Sequence, residues 1–229
     1  MNSSAVWVLV AAFVVVGPLA RAAESRQSAD TGTRAHAPMI WVGGGEFLMG
    51  LDPSGSPAPE GRSVYLDGFY IDRHEVTTAS YAAFLDILRP THDSYGAGEI
   101  QFVPKGWAHT TLLKDRDHPV LGVSWQAADF YCRYVGKRLP TEAEWEKAAR
   151  GSDPIMGTTA VWVSDWDATN AYQRARDRNP HGPDTGVQKV LRGGVTLSAL
   201  SGRSLPRDSY RLDEAPPQAG LRCAKNTAG

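Results

Sequence analysis

His118–Gly151, HPVLGVSWQAADFYCRYVGKRLPTEAEWEKAARG, is the stretch whose reading decides the fold. Ser124 stands directly before Trp125–Val135, and Gly136 follows that run. A serine hydroxyl that can accept an orphan backbone N–H, a periodic run and a closing glycine together predict a helix. Trp125, Ala128, Cys132 and Val135 recur at spacings of 3, 4 and 3. That spacing predicts one buried stripe and an inward-facing Cys132. Thr141-Glu-Ala-Glu144 is a capping box. The Thr141 hydroxyl can accept from the Glu144 N–H while the Glu144 carboxylate reaches back, which predicts a second helix over Glu142–Arg150. Glu142, Glu144 and Glu146 read as a capping and surface set, not a catalytic dyad.

Outward from this block the elements are shorter. Met39–Val42 and Glu46–Met49 are strand-like runs around Gly43-Gly-Gly45, the signature of a hairpin. Asp52–Arg62 is rich in Pro, Gly and Ser and predicts a loop, and Val64–Ile71 predicts one more strand. Thr77 or Thr78 can cap a helix over Ala79–Leu88, which Pro90 stops. Thr91–Asp117 reads as mixed loop, Lys189–Leu191 as a strand, and Gly220–Ala224 as a short closing strand carrying Cys223. No internal repeat is visible. With 23 Gly and 15 Pro, the chain reads as an α+β single domain of low regular secondary structure.

The chain has 229 residues, a formal net charge of −1 and 42% hydrophobic residues, enough for one folded domain with a core. With no block of Lys or Arg, a nucleic-acid partner is excluded. Two cysteines are too few for a four-thiolate zinc site but enough for one disulfide. Ala5–Val16 is an uncharged apolar run broken by Gly17-Pro18, and Ala20-Arg-Ala22 offers small residues for cleavage before Ala23. This layout predicts a signal peptide over 1–22, a polar leader over 23–38 and a domain over 39–226, exported to the periplasm or secreted. The apolar run is too short for a comfortable membrane span, although retention as an anchor is the competing reading.

MIWVGGGEFLMG (39–50), YLDGFYIDRHEVTTASYAAFL (65–85), the 118–151 block, VLRGG (190–194) and GLRCA (220–224) resemble the formylglycine-generating enzyme family, the sulfatase-modifying factor domains. The resemblance runs from about residue 39 to 225. It implies an irregular domain of the C-type-lectin-like kind. It also implies that Cys132 is linked to Cys223, with free thiols or intermolecular pairing as the alternatives.

Family members oxidise a substrate cysteine with oxygen, using copper held by two thiolates shortly after the RGG motif. Soft thiolates suit Cu(I). A gap-free reading after Arg192-Gly-Gly194 puts Ser198 and Arg203 at those positions, and neither holds Cu(I). Calcium is expected to be absent too. Thr158 and Val161 stand where the family's asparagine and glutamate ligands belong, and a hard cation wants several oxygen ligands. Asp165 and Asp167 nearby are expected to be solvated. A few tens of residues are missing beside this tract, so either the chain closes under the RGG strand or apolar surface is exposed there.

The six histidines are dispersed, with none at HxH or HxxxH spacing, and His118 reads as structural. Ser198 and Ser201 lack a nucleophile elbow. The tryptophans read as core or cleft wall, with sugar stacking by Trp107 or Trp166 a lesser reading. No catalytic residue and no metal ligand is assigned. The expectation is an exported binding or regulatory module with a groove near Trp166, Arg192, Ser198 and Arg203, open to a peptide, protein or small-molecule ligand. The alternatives are an enzyme of altered oxidative or biosynthetic chemistry on the same scaffold and a degenerate copy.

Overall fold

The computed structural model describes residues 38–51, 57–88, 102–105, 107, 116–151, 155, 159–168, 177–194 and 207–227, all within the compact unit His36–Gly229. The expected signal peptide and most of the leader lie outside the described residues.

Both predicted helix starts are present. Ser124 caps α2 (Trp125–Tyr134), its side chain accepting from the Ala127 N–H. Gly136 closes that helix at φ +72°, a conformation that disfavours any side chain. Its buried residues are Ala127, Ala128, Tyr131 and Cys132, so the stripe is centred one step from the predicted line, and Trp125 and Val135 flank it half-buried. Thr141 and Glu144 form the capping box of α3 (Glu142–Ala149). The remaining helix, α1 (Thr78–Leu88), is capped by Thr77, whose hydroxyl accepts from the Ser80 N–H.

The strands differ more from the sequence reading. β1 (Met39–Val42) and β2 (Gly45–Leu51) do not form a hairpin. β2 pairs with β3 (Pro57–Leu66), and β1 pairs with β4 (Phe69–Asp72), both antiparallel. The glycines between β1 and β2 redirect the chain from one sheet to another. The predicted loop over 52–62 is therefore strand from Pro57 onward. The single strand predicted over Val64–Ile71 is two, broken at Asp67-Gly68. The closing strand is also divided: β8 (Ala219–Gly220) and β9 (Ala224–Asn226) belong to different sheets, and Cys223 lies between them.

β1, β4 and β9 make one sheet. A second runs β7 (Arg207–Arg211), β6 (Gln188–Gly193), β5 (Ala160–Trp166), β8, with only the β5–β8 pair parallel. Successive side chains point to opposite faces of a strand, and this second sheet is buried on both. Ala160, Trp162 and Leu191 enter a core with α1, α2 and the disulfide. Val161, Val163 and Val190 enter another with α3, β2, β3 and β4. Burial of Val190, Leu191 and Arg192 at 4% exposure or less means the chain closes over the RGG strand despite the missing tract.

Cys132 and Cys223 are joined by a disulfide across 91 residues, as the family resemblance implies. Beside it, Asp72 accepts the Cys223 N–H at 3.0 Å and pairs with Lys137 at 2.5 Å. Arg222 donates to the Asp72 carbonyl at 2.6 Å and pairs with Glu75 at 3.1 Å. Among the described residues no helix is long and apolar enough to cross a membrane.

Candidate functional site

β6 ends at Gly193, the middle residue of Arg192-Gly-Gly194, and β7 begins at Arg207, with Arg192 opposite Arg207 in the ladder. The twelve residues between them carry Ser198 and Arg203, which lie outside the described residues. What the structure defines is the root of that connection. Gly193 and Gly194 leave the strand at φ +83° and +92°. A Cβ on Gly193 would stand 3.0 Å from the Trp145 ring, and one on Gly194 would stand 3.2 Å from Ala160. Only glycine meets both conditions without strain.

Arg192 is 4% exposed. Its guanidinium donates to Glu142 at 3.1 Å and Glu146 at 3.3 Å, and sits 5.1 Å over the Trp145 ring. Arg207 donates to Glu142 at 2.7 Å and to Asp167 at 2.7 Å. Glu146 also accepts from the Gly50 N–H at 2.7 Å and pairs with Arg150 at 2.9 Å. The three glutamates of α3 are thus buried, and the surface role expected for them is corrected. Arg192 and Arg207 lie 46 to 65 residues from the glutamates they bind, a relation that helical spacing does not encode.

Asp165 is likewise buried, not solvated. Its carboxylate accepts from the Glu142 N–H at 2.8 Å and the Ser164 hydroxyl at 3.2 Å, making a second cap on α3. Burial pushes its pKa up to about 7, and the neighbouring Glu142 charge adds to the rise. Burial acts upward on Asp167, but the bonds and charge of Arg207 together with bonds from Ser209 and the Ala168 backbone outweigh it and hold that carboxyl below its ordinary range.

Trp166 stands on the other face of the sheet from Arg192, because its ladder partner Lys189 is three positions from Arg192. The Lys189 ammonium lies 3.9 Å from the Trp166 ring and 4.2 Å from that of Trp125, and donates to the Ser164 carbonyl at 2.6 Å. Burial lowers its pKa to about 8, against the pull of Asp165 and Asp129. The described residues therefore do not bring Trp166 and Arg192 to a common surface. Trp107 packs edge-on to Tyr81.

A separate cleft of about 400 Å³ opens on the α3 cap, between the Asp67-Gly68 turn, Arg138, the segment Asn179–His181 and the end of β9. Glu144 forms one wall and is held by Arg138 through two bonds of 2.6 and 2.7 Å. Asn179 adopts φ +47°. It is stabilised there by a reciprocal pair with Asp67, accepting from the Asp67 N–H and donating to its carboxylate. No local sequence pattern marks this cleft. Its walls come from five separated segments, and Asn179-Pro180 carried no signal beyond that of a turn.

Among the described residues, three sheets, three short helices and a disulfide that closes the chain end define a mixed domain of the C-type-lectin-like class. Residues 25–155 match the sulfatase-modifying factor enzyme 1-like domain, and the chain belongs to that family. It is 30% identical to the formylglycine-generating enzyme of Streptomyces coelicolor over 276 aligned residues, covering 80% of this chain and 87% of that enzyme. It is 27% identical to the serine/threonine-protein kinase pkn1 of Chlamydia caviae, covering 82% of this chain but spanning only 38% of the kinase. PvdO from Pseudomonas aeruginosa has the same fold, with a TM-score of 0.61 at 17% identity over 83% of this chain and 95% of that structure.

Proposed function

We propose that this chain is an exported sulfatase-modifying-factor-like domain that lacks copper-dependent formylglycine generation and acts as a binding or regulatory module. The observation that carries the reading is the disulfide. The sequence contains two cysteines, and both are consumed in the buried Cys132–Cys223 bond. No thiolate is left to hold Cu(I), and the hydroxyl of Ser198 and the cation of Arg203 are unsuited to it. The donor set does not fit the family's copper, so no step is routed through that metal.

Calcium is treated in the same way. Val161, at the family's glutamate position, buries an isopropyl group in the second core and offers no oxygen. Asp165 and the α3 glutamates are engaged by Arg192, Arg207, Arg138 and backbone N–H groups, which supports a structural role for the buried charges. Export is supported by the apolar run at 5–16 and by a disulfide, which persists in oxidising compartments.

Incubation of the purified mature protein with Cu(I), oxygen and a cysteine-containing sulfatase peptide tests the reading. The expected result is unchanged peptide by mass spectrometry. Conversion of the peptide cysteine to an aldehyde would overturn it.

A further inference from the structure

Among the described residues, five of the six sheet edges are covered or charged. Side chains of α3 meet β2: Lys147 donates to the Gly45 carbonyl, and Glu146 accepts from the Gly50 N–H. Tyr65 of β3 exchanges backbone bonds with Asp177 and Asn179, and Val123 donates to Ala219 of β8. Ala224 of β9 exchanges both of its backbone bonds with Arg138, at 2.7 and 2.9 Å. The edge strand β7 carries Arg207, Asp208 and Arg211. The sixth edge is β1, Met39-Ile-Trp-Val42, which holds neither a charge nor a proline. An open, uncharged edge is a template for another strand.

The ladder fixes which backbone groups of β1 are open. Arg73 donates to the Pro38 carbonyl at 2.8 Å, in register with the β1–β4 pairing. Hydrogen-bonded and non-bonded pairs alternate along an antiparallel ladder, so Ile40 and Val42 turn their backbone groups to β4. Met39 and Trp41 turn theirs away, and no other described residue bonds to them. The side chains add an apolar surface. Trp41 stands level with Tyr70 and Lys225 on the solvent face, and the two rings are 52% and 40% exposed with centroids 5.0 Å apart. The sequence reading places the tryptophans in the core or a cleft wall, and Trp41 departs from it.

We infer that β1 pairs antiparallel with β1 of a second copy of this chain. The open groups are self-complementary. A two-fold axis through Ile40 sets Met39 of each copy opposite Trp41 of the other, and both pairs are of the hydrogen-bonded kind. The two N–H and two C=O groups of each copy are then satisfied together, and two three-stranded sheets become one of six strands. Directly opposite side chains share a face, so the Met39 thioether of each copy covers the exposed indole of the other. With no charge on the strand, the axis brings no like charges together. The contact is small, so the dimer is weak and forms as concentration rises. It uses no residue of the RGG root and stands independently of the loss of copper chemistry.

Sedimentation of the mature protein over a rising concentration series tests the inference, with a monomer–dimer equilibrium expected. Met39→Pro removes an outward N–H and spares the β4 ladder. By symmetry it deletes two of the four bonds and should weaken the dimer about tenfold or more, equivalent to ~1.4 kcal/mol. Trp41→Lys puts an ammonium on the edge and should abolish the dimer. Ile40→Cys lies on the axis in a non-bonded pair, where Cα atoms about 4.5 Å apart suit a disulfide, so oxidation should cross-link two copies. Val42→Cys, displaced from the axis, should not cross-link. Unchanged thermal melts of Met39→Pro and Trp41→Lys in dilute solution certify their folds. A single monomeric species up to about 1 mM would overturn the inference, as would a dimer indifferent to both substitutions or cross-linking through Val42→Cys in place of Ile40→Cys.

Discussion

Two networks of buried charge hold this domain, and they are built differently. At the RGG root, side chain meets side chain. Glu142 and Glu146 of α3 are shared among Arg192, Arg207 and Arg150, which fixes both ends of the 195–206 connection to one helix. At the chain end, side chain mostly meets backbone. Asp72 takes the Cys223 N–H, and Arg222 binds the carbonyls of Asp72 and Ile155, next to a covalent bond. The first network depends on charge balance, because removing one member leaves like charges in a low-dielectric interior. The second depends on the disulfide to keep its partners within reach. The RGG root can therefore be broken by a single neutral substitution, and the chain end by reduction.

The largest effect is expected at the chain end. Replacing both cysteines with alanine opens a 91-residue constraint and should cost about 4–5 kcal/mol in chemical denaturation. If the loss stays below about 1 kcal/mol, the Asp72–Arg222 contacts hold the chain end without the covalent bond. Next comes Arg192→Leu, which leaves Glu142 and Glu146 buried with fewer cations. It should cost about 3 kcal/mol in the same measurement.

The third effect is one of pH. Asp165 has a folded-state pKa of about 7 against an ordinary value of 3.8. The folded chain therefore holds this proton where the unfolded chain has lost it. Its stabilising contribution is complete below about pH 4 and is lost as pH rises toward 7. Asp165→Asn should flatten the decline in stability across that window, as read from urea midpoints at successive pH values. An unaltered slope would place the titration elsewhere. The smallest effect sharpens the contrast between buried and exposed charge. Arg133→Ala removes an exposed i,i+4 pair with Asp129 and should cost only about 0.3–0.5 kcal/mol in the same measurement.

The parts of this fold legible in the sequence are those whose determinants lie within a few residues of each other. Ser124 and Ala127, or Thr141 and Glu144, meet within one turn of chain, so their caps can be read directly. Strand pairing is not local. The two runs around Gly43–Gly45 have the form of a hairpin, but their partners are Asp72–Phe69 and Leu66–Pro57, chosen by which face each can bury. The same applies to charge. Glu142, Glu144 and Glu146 look like a solvated set until Arg192 and Arg207 arrive from the far side of the sheet. The Cys132–Cys223 bond is implied by the family resemblance, whereas spacing alone leaves free thiols or intermolecular pairing open. The cleft at Gly68 and the exposure of Trp41 depend on packing among distant segments and left no mark in the local pattern.

The central claim is that both thiols of the chain are committed to one structural bond. Iodoacetamide treatment of the mature protein, unfolded but not reduced, followed by intact mass measurement, tests it most directly. The account predicts no added carbamidomethyl group until a reductant is supplied, and two thereafter. Alkylation of both cysteines in the unreduced protein would contradict it and return two thiols to the search for a metal site.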